Sequence, residues 1–281
     1  MSEAPLVGQA VWCIEAETCA SRLLWLVEQG FEAISLNTTE LVRDDADWEN
    51  CAKIVQREGL VTTFHFGLGR VDQGLDLALL DRRLGEVERW HNEVGPVRNV
   101  TFDPLTRSPQ GEGRPQMAYP ETGEMLRRAH ERLAPLGIAV GVENGWLREG
   151  TAEHLERIRE HAFADLAMIL DLGHANIHVH DAQFAQPIEE YIKSLPLPII
   201  ELHVHDNNGE RDRHESLGSG TLDLAGAVRG LKAVGFAGVA TIEVAPGLRG
   251  IPLERPERMM LIAWARRTFL DAWAGSPSAP T

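Results

Sequence analysis

Glu143, Asp171, His203 and Glu243 each stand at the end of an otherwise apolar run: IAVGVEN, LAMILDLGH, PIIELHVHD and GVATIEV. Two earlier runs, VTTFH and NVTFD, end in the same way at His65 and Asp103. A charged or imidazole group at the end of a buried strand carries a desolvation cost unless it is paired or bound to a metal. For any one acid the ordinary reading is a helix cap or an arginine partner. Several in equivalent places argue instead for a common centre. Three carboxylates and one imidazole suit a divalent ion of intermediate hardness (manganese, zinc, cobalt, magnesium or iron), with manganese or zinc favoured. Without a cation, three acids in one cleft would repel and raise one another's pKa.

These side chains can meet only if the strands that carry them are neighbours. Strand-like runs fall at 8–12, 32–37, 60–66, 98–103, 138–144, 166–171, 199–205 and 238–244. Amphipathic stretches separate them, at 18–29, 47–58, 75–93, 121–136, 152–161, 187–194, 224–234 and, after the last strand, 255–274. Several helix exits carry a glycine ahead of an apolar strand: Gly30, Gly59, Gly137 and Gly235. A helix–glycine–strand unit repeated around eight strands predicts an α/β fold, a single (β/α)₈ TIM barrel over residues 1–274. Residues 275–281, GSPSAPT, are expected to form a disordered tail. The 281 residues are close to the roughly 250 of such a barrel. The longer loops, 104–119 and 206–222, then lie on the C-terminal face of the strands, where barrel enzymes keep their sites.

Composition narrows the partners. Lys and Arg number 27 against 42 Asp and Glu, a formal net charge of −15. That argues against a nucleic-acid surface, which needs clustered cations, and suits an enzyme acting on a small molecule. Cys13, Cys19 and Cys51 lack CxxC spacing, so a reducing cytoplasm is the expected location. The N-terminal segment does not read as a signal peptide, and no apolar run approaches the ~20 residues of a membrane span. A homo-oligomer is compatible with all of this.

Further candidates surround the four. His174, three residues after Asp171, is expected in the loop that follows the strand, within reach of the same cavity as a substrate contact, proton carrier or extra ligand. His178 and His180 are expected to face solvent. Of His203 and His205, one is expected to face inward, and His203 is assigned to the metal. Asp212 and His214, two apart in an extended loop, can point at one ligand. Gly218-Ser219-Gly220 would allow close backbone approach, to a phosphate or in a plain turn. Trp12, Asn37, Phe66 and Trp146 are candidates to line the pocket. Trp12, Asn37, Trp146 and Arg213 are the candidate substrate-binding residues, although Trp12 could equally pack in the core.

Together, Val142-Glu143-Asn144, Asp171-Leu172-Gly173-His174, His203-Val204-His205-Asp206, Asp212-Arg213-His214, Leu217-Gly218-Ser219-Gly220 and Ile242-Glu243-Val244 resemble the xylose isomerase-like TIM-barrel superfamily. That group holds sugar isomerases and epimerases, inosose and dehydroshikimate dehydratases, and endonuclease IV. The resemblance implies a single-metal site on Glu143, Asp171, His203 and Glu243. The two glutamates would also be acid and base on either side of the substrate carbon, and His174 would contact a substrate oxygen. The endonuclease pattern implies three zinc ions, with extra ligands falling on His65, Asp103, His174, Asp212 and His214. Asp103 departs from that pattern, which has histidine there, but a carboxylate can still bind zinc. Many sugar-type relatives also carry the Asp-x-His motif.

The expected function is therefore a divalent-metal-dependent isomerase, epimerase or related lyase. Its substrate would be a small sugar, keto-sugar or polyol, converted through a metal-stabilised enediolate. The alternative is an endonuclease IV-like phosphodiesterase with a multinuclear zinc site; a non-catalytic metal-binding barrel is a third reading. Charge favours the sugar enzyme, because gripping a bent duplex needs Arg and Lys around the rim. The rim loops RSPQGEGRPQ and DNNGERDRHESLGSG are of mixed charge.

Overall fold

A computed structural model describes residues 4–14, 18–37, 45–67, 69–108, 115–145, 151–245 and 254–275. Eight parallel strands close into a barrel: β1 (Leu6–Ala10), β2 (Ala33–Asn37), β3 (Val61–Phe66), β4 (Val97–Phe102), β5 (Ala139–Glu143), β6 (Ala167–Asp171), β7 (Ile199–Val204) and β8 (Val239–Ile242). β8 pairs back onto β1, Leu6 level with Val239. The connections carry α1 (Cys19–Glu28), α2 (Asp45–Glu58), α3 (Leu77–Glu93), α4 (Tyr119–Leu133), α5 (Thr151–His161), α6 (Leu172–His180), α7 (Ile188–Lys193) and α8 (Leu224–Ala233), and α9 (Arg255–Ala274) follows the last strand.

Local chemistry sets the helix starts. Thr18, Asp76 and Asp223 accept hydrogen bonds from the N–H groups of Ser21, Leu79 and Gly226, filling donors that the first turn leaves open. Glu254 and Glu257 form a reciprocal cap at α9.

Alternation along the strands divides the molecule into two interiors. Phe64, Phe66, Val100, Phe102, Val140, Val142, Leu170, Leu202, Val204 and Ile242 point outward and pack under the helices in one apolar core. Residues on the other face point into the barrel. The lower layer is polar: Thr63, Asn99, Thr101, Glu201 and Thr241 form one hydrogen-bonded cluster across four strands. Two residues further along those strands, or just beyond them, come His65, Asp103, His203 and Glu243. The residues thought to do chemistry thus lie one layer above a polar floor, at the C-terminal end of the barrel.

The expected strands match to within about two residues. β1 ends at Ala10 rather than Trp12 because Val11–Cys13 turn into a short 3₁₀ segment. The loop after β4 holds a two-residue antiparallel pairing, Thr106–Arg107 with Gln116–Met117, which the sequence pattern does not reveal. The larger difference is α6. The Asp171 side chain accepts the His174 N–H at 2.7 Å and starts a helix where a loop was expected. His174 therefore sits on the first helical turn. His178 is buried against Phe184 and Tyr191, contrary to the expectation that it faces solvent, whereas His180 is exposed. Phe66 follows inward-facing His65 and so belongs to the outer core, packed on Phe102, and not to the pocket. Of the expected tail, the described residues include only Gly275, which caps α9 with φ 74°.

Candidate metal centre and active site

The barrel mouth opens on a cavity of about 380 Å³ whose walls include Glu143, Asp171, His174, Asp212, His214 and Glu243. That is the scale of a small-molecule pocket. His203 lies beneath, fully buried, its Nδ1 3.1 Å from Glu143 Oε2 and 3.8 Å from Glu243 Oε1. His65 bridges the same two acids from above, with Nε2 3.5 Å from Glu143 and Nδ1 3.7 Å from Glu243. Its Nε2 also donates to Asp103 Oδ1 at 2.8 Å. His174 Nδ1 lies 2.9 Å from Glu143 Oε1, and its Nε2 lies 3.8 Å from Asp212. Parallel register sets Asp171 level with His203.

Nine side chains picked from the sequence as metal candidates thus come together: the four of the single-metal pattern and the five extras. Their ligand atoms fall into overlapping triads: His65, His203 and Glu243; His65, Asp103 and Glu143; Glu143, Asp171 and His174. Among the described residues Asp103, Glu143, Asp171 and Glu243 pair with imidazoles and with no lysine or arginine, so the arginine-partner alternative fails for these four. Among the described residues the cap alternative holds for Asp171 alone, and that carboxylate still faces the cavity.

A tenth residue, His205, belongs to the cluster. Its Nε2 is 3.1 Å from Asp171 Oδ2 and 3.6 Å from Asp212, and its ring stacks on His214 with centroids 4.0 Å apart. Residues two apart on a strand share a face, so His203 and His205 both point inward, and the expectation of one alone is corrected. That spacing was legible in the sequence. Gly173 makes room for the ring: a Cβ there would lie 1.9 Å from His205 Cε1.

The substrate-side candidates divide. Trp12 and Asn37 line the cavity, with Trp12 edge-on to His214 at 5.6 Å. Arg213 does not line it. Flanked by inward-facing Asp212 and His214, it turns the other way and pairs with Glu215 at 3.3 Å. Trp146 lies outside the described residues. The glycines of Leu217–Gly220 do not offer their N–H groups to a phosphate. Buried Asp206 takes them: its carboxylate accepts from Asn207, Gly218, Gly220 and Leu222 at 2.8–3.1 Å.

Electrostatics and hydrogen bonding test whether a cation fits. Burial pushes each imidazole toward its neutral form, but neighbouring carboxylates outweigh it. Asp103 raises His65 well above the usual range, Asp171, Asp212 and Glu143 do the same for His174, and Glu243 with Glu143 lifts His203 to about 9. Burial likewise pushes the carboxyls up, and the imidazoles reverse it, holding Glu143 well below the ordinary carboxylate value and Glu243 at about 2. The carboxylates thus favour positive charge at this point, on imidazole protons or on a cation. Yet Glu143 Oε2, Glu243 Oε1, His174 Nδ1 and both His203 nitrogens are buried with no aligned hydrogen-bond partner among the described residues. Carboxylate oxygens and ring nitrogens that crowd within 2.9–3.8 Å with no aligned hydrogen bond are what a shared ion would satisfy. His214 is prepared in the same sense. It adopts φ 50°, its Nδ1–H donates to the Glu243 carbonyl at 2.8 Å, and its Nε2 is turned toward Asp212. The donor set of histidines and carboxylates fits a divalent transition metal.

A closed parallel barrel with acids and imidazoles gathered at its C-terminal mouth defines a TIM barrel with a candidate metal site. Within it, the chain belongs to the xylose isomerase-like TIM-barrel family, whose model matches residues 23–260. An uncharacterised protein of Methanocaldococcus jannaschii is 33% identical over 161 residues, 56% of this chain and 46% of that protein. The match thus spans about half the length of this curated relative. Among solved structures, a D-tagatose 3-epimerase-like protein superposes with TM-score 0.70 at 19% identity, covering 96% of this chain and 98% of its own. A D-allulose 3-epimerase from Methylomonas sp., in complex with D-allulose, gives 0.72 at 15% identity, covering 96% and 98%. The IolI protein with a bound zinc atom gives 0.70 at 16%, covering 97% and 99%. At these identities the likeness is one of fold.

Proposed function

We propose that this chain is a divalent-metal-dependent isomerase or epimerase of a small sugar or keto-sugar. Glu143, Asp171, His203 and Glu243 hold the ion, and Glu143 and Glu243 exchange the proton. The observation that carries this reading is that the two glutamates approach the same pair of imidazoles, His65 and His203, within 3.1–3.8 Å while both line one cavity. A divalent ion bound there would polarise a carbonyl and an adjacent hydroxyl, acidifying the C–H between them. One glutamate takes that proton; the other delivers a proton to the opposite face or to the neighbouring oxygen. His174, held between Glu143 and Asp212, hydrogen-bonds a substrate oxygen. Trp12 and Asn37 supply an apolar face and an amide for the rest of the substrate. The sugar-epimerase names among the structural neighbours support the substrate class by analogy of fold.

The extra residues around the main four favour one second reading, a multinuclear zinc phosphodiesterase. Net charge weighs against it, since a chain at −15 repels duplex DNA. The deciding experiment incubates the metal-loaded protein with a panel of ketoses in deuterated water and, separately, with an abasic DNA duplex. Deuterium uptake at the carbon beside the carbonyl supports the sugar reading. Strand cleavage with no exchange on any ketose overturns it.

A further inference from the structure

Glu201 lies in the lower barrel layer, fully buried, two residues before His203 on β7 and on the same face. Thr63 Oγ1 and Thr241 Oγ1 donate to its Oε1 at 2.9 and 2.5 Å, and Asn99 Nδ2 and Thr101 Oγ1 to its Oε2 at 2.5 and 3.2 Å. Every one of these partners is neutral, and among the described residues no cationic side chain pairs with the carboxylate. An acid at the centre of a barrel is normally replaced by a branched apolar residue, because burying an uncompensated charge costs several kcal/mol. Here four donors converge on it, two to each oxygen.

A brace between strands would not require a charge. Glutamine fits the same space. Among the described residues the Asn99 Oδ1 atom is buried without a partner, so the Asn99 amide can turn over and accept from a glutamine N–H, and threonine hydroxyls can reverse. What glutamine cannot supply is the negative charge. A rise of two strand residues, roughly 6–7 Å, separates this carboxylate from the level of His203, where Glu143 and Glu243 converge. At that range, under a water-poor floor, a unit charge acts strongly on a divalent ion.

We infer that Glu201 is a non-ligand positioning residue, a fixed anion beneath the barrel mouth that raises the affinity of the site for a divalent cation. The inference rests on the metal reading above, and the test separates the two. Mn²⁺ and Zn²⁺ are titrated by calorimetry into chelator-stripped wild-type protein, Glu201→Gln and Glu201→Asp, with the metal-free melting temperature of each recorded. Wild type should bind, Glu201→Gln should bind at least ~10-fold more weakly while melting close to wild type, and Glu201→Asp should stay within ~3-fold. Affinity then follows charge, which a purely structural role would not produce. Equal affinity of Glu201→Gln and wild type overturns the inference and leaves the metal site standing. Failure of wild type to bind either metal overturns the site itself. Should Glu201→Gln not fold, Glu201→Asn is compared with Glu201→Asp, a pair of equal size that differs in charge: binding at least ~10-fold weaker in the asparagine variant supports the inference, and equal affinity of the two overturns it.

Discussion

Glutamine at position 143 or 243 keeps the shape of the side chain and removes both its negative charge and its capacity to carry a proton. Each glutamate is proposed as ligand and as acid–base group, so neither substitution should be rescued by excess metal alone. Glu143→Gln and Glu243→Gln are expected to fold and to lose at least ~100-fold in turnover of whichever ketose the wild-type protein converts. Initial rates at saturating metal measure this, and a variant within a few-fold of wild type would remove its residue from the mechanism. These two were readable from the sequence because each interrupts a run of apolar residues at its end. Glu201 interrupts such a run in the middle, but its donors come from β3, β4 and β8, and no local pattern joins Thr63, Asn99, Thr101 and Thr241 to it.

At the scale of elements, the segment from β7 to α8 shows how one side chain organises a loop. Four N–H groups converge on the Asp206 carboxylate, and the backbone of Asp206 also pairs with Glu215 in both directions at 2.9 Å. Gly220 is required by close approach: a Cβ there would lie 2.1 Å from the Asn207 carbonyl oxygen. Asp206→Ala leaves several buried donors unserved and should destabilise the fold by about 2–4 kcal/mol. A shift in the urea midpoint at unchanged slope reports this, while an unchanged midpoint would mean that water replaces the carboxylate. Asp212 and His214 hang from this loop, so their placement depends on Asp206, though Asp206 does not line the cavity. Helix α6 carries a related lesson. Its N-cap, Asp171, is at the same time a candidate ligand, and a residue in two roles hides the helix start from a reader who assigns it only one.

For the whole molecule, the proposed ion should act as a fastener between strands β5, β6, β7 and β8, each of which contributes one of the four ligands or leads directly into it. A ligand held only by the folded state stabilises it, by about 2.7 kcal/mol at a hundredfold excess over its dissociation constant. Stripping the protein with a chelator should therefore lower its melting temperature by roughly 5–10 °C, and returning Mn²⁺ or Zn²⁺ should restore it. Calorimetric scans with and without metal check this; identical scans would argue that nothing binds. The same dependence should vanish in a protein carrying both Glu143→Gln and Glu243→Gln.

The sequence alone determined the barrel and the identity of its nine candidate ligands. Alternating apolar runs and amphipathic stretches leave few ways to bury eight strands, and a polar residue at a strand end stands out against its apolar neighbours. Tertiary structure alone decided which of those residues share a point in space and what each faces. It seated His205 against Asp171 and Asp212, moved His174 from loop to helix, and turned Arg213 toward Glu215. It also gave the glycine-rich turn to Asp206 and set Glu201 in the barrel floor. The physical reason is range. Periodicity and capping act over a few residues, whereas Thr63 meets Glu201 across 138 positions of chain, a contact that exists only once the barrel has closed.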